Sequence, residues 1–93
     1  PGYSGYDGFS WAYNTVSRTY MFVFHDVDSA DNLVQELALD GRLSPIVAAI
    51  TFPGNGNFEP SITACGDRRE WLILTANNFA SVIGARVRSY FAP

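Results

Sequence analysis

Apolar and polar residues alternate in several short runs of this chain, and turn residues separate the runs. Between Phe9 and Asn14, aromatic residues alternate with small or polar ones, which predicts a half-buried strand over Phe9–Tyr13. The run Thr19–His25 is apolar on both faces, which predicts a central strand with a layer on each side. A third apolar run, Ile46–Phe52, follows Pro45 and predicts another strand.

Two segments have the spacing of amphipathic helices. Between Asp28 and Gly41, a capping residue opens the segment, a glycine closes it, and one apolar stripe lies between them, which predicts a helix over Ser29–Asp40. A second stripe predicts a helix over Asn78–Phe91, with Gly84 allowing it to approach the sheet closely. The stripe residues are Ala30, Leu33, Val34 and Leu37 in the first helix, and Phe79, Val82, Ile83, Val87, Tyr90 and Phe91 in the second.

A hairpin is expected between the helices. Gly66-Asp67 stands between two extended runs, Ser61–Cys65 and Arg68–Thr75. Glycine at the first central position of a two-residue turn is typical of type II′, so we predict a two-residue hairpin here.

The elements together predict an α+β fold: a mainly antiparallel five-stranded sheet with two helices, in the order ββαβββα. Residues 1–8, rich in Gly and Tyr, are expected to form a flexible arm, and residues 9–93 a single domain. The chain begins with Pro1 instead of Met, which indicates processing or a boundary within a longer chain. No similarity reaches the level of a sequence motif, so no family is claimed. The expected core is Phe22, Val23, Val34, Leu37, Ile50, Leu72, Ile83 and Val87.

The amino-acid composition of the chain argues against several classes of function. The chain is 47% hydrophobic and 16% charged, which indicates a compact fold, and its longest apolar run is too short to span a membrane. A net charge of −3 argues against nucleic acid and anionic lipid as partners. One Cys and one His provide neither a disulfide framework nor a zinc site, so we expect no metal and no cofactor. The absence of Lys, with many small polar and aromatic residues, favours a secreted or virion-associated protein over a cytoplasmic one.

Two groups of residues are candidates for catalysis. His25, with Asp26 and Asp28 close behind it at the end of a strand, has the residue types of a general base with an acidic neighbour. The same two Asp residues also suit a turn and a helix cap. Cys65 precedes Arg68 and Arg69, which would favour a thiolate, and a Cys–His dyad with His25 is the corresponding hypothesis.

Aromatic residues at the start of the chain are the candidates for binding. These side chains could stack on sugars, bases or a protein partner, or they could simply pack on the core and cover the sheet edge. Arg68 and Arg69 are a second candidate, as a local anion-binding patch. The aromatic candidates are Tyr3, Tyr6, Phe9, Trp11 and Tyr13.

Two functional hypotheses follow. The first is a non-enzymatic interaction module that binds a protein partner, or a second copy of itself, through an aromatic-rich face. The second is a small secreted toxin-like effector or hydrolase that uses His25 with Asp26 or Asp28, or with Cys65.

Overall fold

The protein is an all-β fold of two antiparallel sheets. The computed structural model describes residues 6–26, 31–50, 60–76 and 82–92, none of which is helical. Sheet A has the strand order β1-β2-β3-β4, and sheet B has the order β5-β6-β7. The predicted α+β class is therefore wrong. The strands are β1 (Tyr6–Asn14), β2 (Thr19–Asp26), β3 (Asp31–Ala38), β4 (Ala48–Ile50), β5 (Ser61–Ala64), β6 (Glu70–Ala76) and β7 (Val82–Arg88).

The core lies between the two sheets. Its largest member is Trp71, which is fully buried and donates its indole N–H to the Ala12 carbonyl oxygen at 3.0 Å, so that β6 is tied directly to β1. Since burying such side chains is the main source of stability in a small domain, the fold depends on the contact between the layers. The buried core residues are Met21, Val23 and Val34 from sheet A, and Trp71, Ile73 and Val87 from sheet B.

The predicted core is confirmed in part. Val23, Val34 and Val87 are buried, and Ile50 packs against the core from β4. The remaining predicted core residues with described side chains, Phe22, Leu37 and Leu72, are half-buried on the outer faces. The side chain of Ile83 lies outside the described residues.

The predicted helix over Ser29–Asp40 is wrong, because its described part contains β3. Burial alternates strictly along this strand, and Asn32, Val34, Glu36 and Ala38 face inward. Two of these inward residues are polar, whereas Leu33 and Leu37 face outward. The apolar positions 33, 34 and 37 therefore imitate a helical stripe, although the backbone has the period of two of a strand.

The predicted helix over Asn78–Phe91 is also wrong; residues 78–81 lie outside the described residues, and β7 follows them. Exposed Arg86 and Arg88 flank buried Val87, which is the alternation of a strand. Gly84 does permit a close approach, but to a neighbouring strand: a Cβ there would lie 3.1 Å from Cδ2 of Leu74.

The first two predicted strands are confirmed. β2 is the second strand of sheet A, and β1 begins at Tyr6, inside the segment expected to be a flexible arm; residues 1–5 lie outside the described residues. Of the predicted strand Ile46–Phe52, residues 48–50 form β4, while 51 and 52 also lie outside that range.

The predicted hairpin is confirmed, but its turn type is wrong. β5 pairs with β6, and the Cys65 amide donates to the Glu70 carbonyl oxygen at 2.9 Å, so residues 66–69 form the loop. Among the described glycines only Gly41 has a positive φ, so Gly66 does not have the conformation of a type II′ turn. The pairing differs from the predicted one by two residues, since Ala64 pairs with Trp71.

Asn14 joins the two sheets through a buried side chain. Its Nδ2 donates to the carbonyl oxygens of Arg68 at 2.7 Å and Glu70 at 2.9 Å, while its Oδ1 accepts from the amides of Val16 and Ser17 in the β1–β2 turn. One amide group thus fixes the β1–β2 turn against the β5–β6 hairpin.

Candidate binding surface

The outer face of sheet A carries six aromatic side chains in three cross-strand rows. The inward positions of β1 and β2 fill the core, so the alternating positions point away from it. The register brings aromatic residues of β1 directly beside aromatic residues of β2, a pairing that stabilises antiparallel sheets. The rows are Phe9 with Phe24, Trp11 with Phe22, and Tyr13 with Tyr20, and we call these six residues the aromatic face.

The rings touch one another but remain open to solvent. Phe9 contacts Phe22 with 5.6 Å between ring centroids, and Tyr20 contacts both Trp11 at 5.7 Å and Tyr13 at 5.0 Å. Even so, Phe9 is 64% exposed and Trp11 is 59% exposed. The rings surround a depression of about 300 Å³, which is lined by Phe9, Trp11, Tyr20, Phe22 and Leu37.

Charge is confined to the two ends of this face. Between the ends, β3 contributes Leu33, Gln35 and Leu37, which are uncharged. At one end, Asp26 and Asp31 are register partners on neighbouring strands. Arg18 lies at the opposite end, in the turn before β2, where its φ of 61° places it in the left-handed region. The face is therefore apolar in the middle and acidic at one end, and the β1–β2 turn bounds it at the other. Arg18 itself lines a groove with Thr19, Ala38 and Phe91.

His25 lies at the acidic end of β2 and is half-buried. Its Nδ1 is 3.3 Å from Oδ1 of Asn32, the register partner on β3. His25 and Asp26 are consecutive residues of one strand, so their side chains leave the sheet on opposite faces. The structure therefore does not bring them together as a catalytic pair, and Asp28 lies outside the described residues.

Cys65 and His25 lie at opposite ends of the molecule. Cys65 pairs with Glu70, whose carbonyl oxygen accepts from Asn14 at the end of β1. His25 pairs with Asp7, near the beginning of β1. The seven residue-to-residue steps from Asp7 to Asn14 span about 23 Å of extended strand, so the Cys–His dyad is not assembled.

The arginines gather at the end of the molecule that holds the β1–β2 turn. Arg18 and Arg42 line one groove, Arg69 and Arg88 line another, and Ala92 borders both. Arg68 lies in the β5–β6 loop and Arg86 on β7. All six arginines of the chain thus lie at this end.

Much of this positive charge is engaged by one carboxylate. Glu70, whose side chain is 12% exposed, pairs with Arg86 at 2.9 Å and Arg88 at 3.4 Å. The hydrogen bond from Arg86 lowers the pKa of Glu70, so the carboxylate stays ionised to lower pH than usual. The candidate anion-binding residues behave differently: Arg68 lies 3.7 Å from the exposed Asp67, and Arg69 is exposed.

Half of the residues of the aromatic face were predicted from the sequence as binding residues, and the other half were not. Trp11 and Tyr13 lie on it, and Phe9 was included with them. Tyr3 lies outside the described residues, as does the side chain of Tyr6. Tyr20, Phe22 and Phe24 were missed because a strand with two apolar faces was expected to be covered on both. The signal was present, since large aromatics recur at every second position of β1 and of β2.

Within the described ranges, His, Cys, Asp and Glu residues form no group of three or more that could hold a metal ion. The same part of the chain contains no helix long and apolar enough to cross a membrane.

Comparison of the sequence with family models and with curated proteins, and of the fold with solved structures, gave no match.

Proposed function

We propose that this protein is a non-enzymatic protein-binding module and that the aromatic face is its binding surface. The observation that supports the proposal is the placement of six aromatic side chains on the outer side of sheet A, with Phe9 and Trp11 mostly exposed. Contiguous exposed apolar patches of this kind typically mark interaction sites.

The composition of the face agrees with that of a protein interface. Aromatic residues are enriched and charged residues depleted at the centres of such interfaces, and Trp and Tyr are over-represented among the residues that contribute most binding energy. Trp11 and Tyr20 border the depression, and the nearest charges in the register, Asp26 and Asp31, lie at its end. A partner would bury the rings without removing a charged group from water.

Other classes of ligand fit the face less well. A platform that stacks nucleic acid bases needs a positively charged groove beside it, whereas the arginines that pair with Glu70 lie on sheet B. A sugar site needs polar groups beside the rings. Gln35, the amide on this face, already donates its Nε2 to the Ser44 carbonyl oxygen at 2.9 Å.

The proposal can be tested without knowing the natural partner. Peptides that bind the wild-type protein would be selected from a random library and then measured against Trp11→Ala. Peptides that use the aromatic face should lose at least tenfold in affinity, because Trp11 supplies the largest ring of the face. Leu74→Ala is the matched control, since Leu74 is an exposed apolar residue on the outer side of sheet B.

We expect most selected peptides to be sensitive to Trp11→Ala and insensitive to Leu74→Ala. If most bound both variants as tightly as the wild type, the aromatic face would not be the preferred binding surface and the proposal would fail. The hydrolase hypothesis has no comparable support, because the described candidates, His25, Asp26 and Cys65, do not converge.

A further inference from the structure

We propose that the end of the molecule that holds the β1–β2 turn binds the surface of a membrane that contains anionic lipids. This end is separate from the aromatic face, so the inference goes beyond the proposed function. Two observations support it: arginines surround the grooves at this end, and exposed apolar side chains lie in the same turns. We call it the arginine end, and it includes residues 15–18, 39–42, 66–70 and 86–92.

The larger groove at the arginine end offers two guanidinium groups to one ligand. It encloses about 320 Å³, and its lining includes Arg18, Arg42 and Phe91. The Arg18 side chain has no hydrogen-bond or ion-pair partner among the described residues. Arg42 donates from Nε to Asp40 at 2.8 Å and lies 4.9 Å from the centre of the Phe91 ring, so it is held in place while its Nη groups remain available. Guanidinium groups bind phosphate through paired hydrogen bonds, so the groove suits the phosphate of a lipid headgroup.

The local charge of the arginine end differs from the net charge of the chain. Six arginines lie here with four described carboxylates, so positive charges outnumber negative ones by two. Asp26 and Asp31 lie about 23 Å away along the strands, because seven residue steps of β2 separate Asp26 from Thr19. Charges are screened over about 8 Å at physiological salt. An anionic surface that touches this end is therefore attracted, although the net charge of −3 argues against such a partner.

Exposed apolar side chains beside the arginines favour a membrane over other polyanions. Leu39 lines the same groove as Arg18 and Arg42 and is 58% exposed. Val16 is exposed in the β1–β2 turn, two residues before Arg18. Apolar side chains of this kind enter the interface of a bilayer while neighbouring guanidinium groups stay with the headgroups. A nucleic acid backbone or a sulfated glycan would gain nothing from them.

The test measures cosedimentation of the whole chain with vesicles at physiological ionic strength. We expect binding to vesicles of phosphatidylcholine and phosphatidylserine in equal amounts, and none to vesicles of phosphatidylcholine alone. Arg18→Gln should weaken binding about fivefold, the typical contribution of one arginine near an anionic surface. Ala49→Glu is the matched control, because it makes the same change of net charge at an exposed position of β4 far from the arginine end. It should change binding less than about twofold.

The apolar contribution is tested in the same assay. Leu39→Ser should weaken binding by about threefold or more, because less apolar area enters the interface, whereas Leu74→Ser on the outer side of sheet B should have no effect. Binding to neither kind of vesicle, or equally to both, would overturn the inference. Equal effects of Arg18→Gln and Ala49→Glu would do so too. An unaffected Leu39→Ser variant, or full competition by inorganic phosphate at the concentration of the lipid, would refute a membrane as the partner.

Discussion

The buried carboxylate of Glu36 fixes the last described residues of the chain to sheet A. Its two oxygens accept from the hydroxyl groups of Thr19 and Ser89 and from the amides of Tyr90 and Phe91. A buried carboxylate with four donors is strongly bound, and removing it leaves those donors without an acceptor. Arg42 strengthens the same attachment, because its guanidinium lies 4.9 Å from the centre of the Phe91 ring.

Glu36→Ala should therefore destabilise the protein by about 3 kcal/mol or more, since several buried donors lose their acceptor. Glu36→Gln should cost less, because hydroxyl groups such as Thr19 and Ser89 can turn to accept from the new amide. Urea denaturation measures both. Hydrogen exchange should show the amides of Tyr90 and Phe91 losing protection first in Glu36→Ala. Unchanged protection of these two amides would contradict this role.

Glu70 provides a prediction about pH. Hydrogen bonding to Arg86 lowers its pKa below the ordinary value of 4.5, so above that value the carboxylate is ionised in both the folded and the unfolded chain. As pH falls through this region, the unfolded chain takes up the proton first, and the stability contributed by Glu70 is progressively lost.

Melting temperature measured against pH should thus fall less steeply on the acid side in Glu70→Gln than in wild type. Arg86→Gln should flatten the same part of the curve, because Arg86 is the main cause of the shift. Combining the two changes should then add little to either one. Additive effects would show that the two side chains act independently.

At the scale of elements, the turn around Gly41 differs from the hairpin loop at Gly66. Gly41 follows β3, and its amide donates to the Ala38 carbonyl oxygen at 3.0 Å. Its φ of 93° lies in the left-handed region, and the residue closes a turn between strands, not the helix that the sequence predicted. Gly66 has no positive φ, and a Cβ there would meet nothing within 4 Å.

Gly41→Ala should destabilise the protein by about 1 kcal/mol, because an L side chain is strained at this backbone conformation. Gly66→Ala should be neutral or stabilise by up to about 1 kcal/mol, since it restricts only the unfolded chain. Both effects can be read from urea denaturation midpoints. Equal destabilisation by the two changes would show that the turn conformation is not the cause.

The elements also show which parts of the fold the sequence could predict. β1, β2 and the β5–β6 hairpin were predictable because their apolar residues follow a strand pattern and turn residues separate them. β3 was not, because Asn32 and Glu36 occupy inward positions for reasons of hydrogen bonding with residues such as His25 and Ser89. The sequence around residue 36 and the sequence around residue 89 give no indication that these two side chains are in contact.

For the molecule as a whole, the described fold has two layers, whereas the sequence predicted a layer on each side of β2. This difference changes which residues contribute most to the free energy of unfolding. Ile73 is fully buried between the sheets, whereas Phe22, the expected centre of the core, lies half-buried on the aromatic face. Ile73→Ala should cost about 2–5 kcal/mol, and Phe22→Ala clearly less, because only the first leaves an enclosed cavity. Thermal denaturation of the two variants compares these losses. A larger loss for Phe22→Ala would mean that this face is covered.

For the candidate site, the sequence predicted the aromatic residues of β1 but not whether their face would be exposed. The alternation of Trp11 and Tyr13 with small residues indicated one face of a strand, but not whether that face would be covered. The helices predicted over Ser29–Asp40 and Asn78–Phe91 would have covered this face. The absence of helix from the described residues leaves this face open, so the error in the elements and the three missed aromatic residues have one cause.

All six arginines lie at one end of the molecule, so charge is distributed unevenly along the strands. Among the residues with described side chains, Asp26 and Asp31 lie at the far end. Glu36, Asp40, Asp67 and Glu70 lie with the six arginines and offset part of their charge, so a moderate electric dipole remains along the strands. A chain with a net charge of −3 and a pI of about 4.8 should be repelled by a cation exchanger at neutral pH. This protein should instead bind the resin weakly through its arginine end and be retarded at low salt. Arg86→Gln with Arg88→Gln should elute earlier, and the protein will meet any charged surface in one preferred orientation.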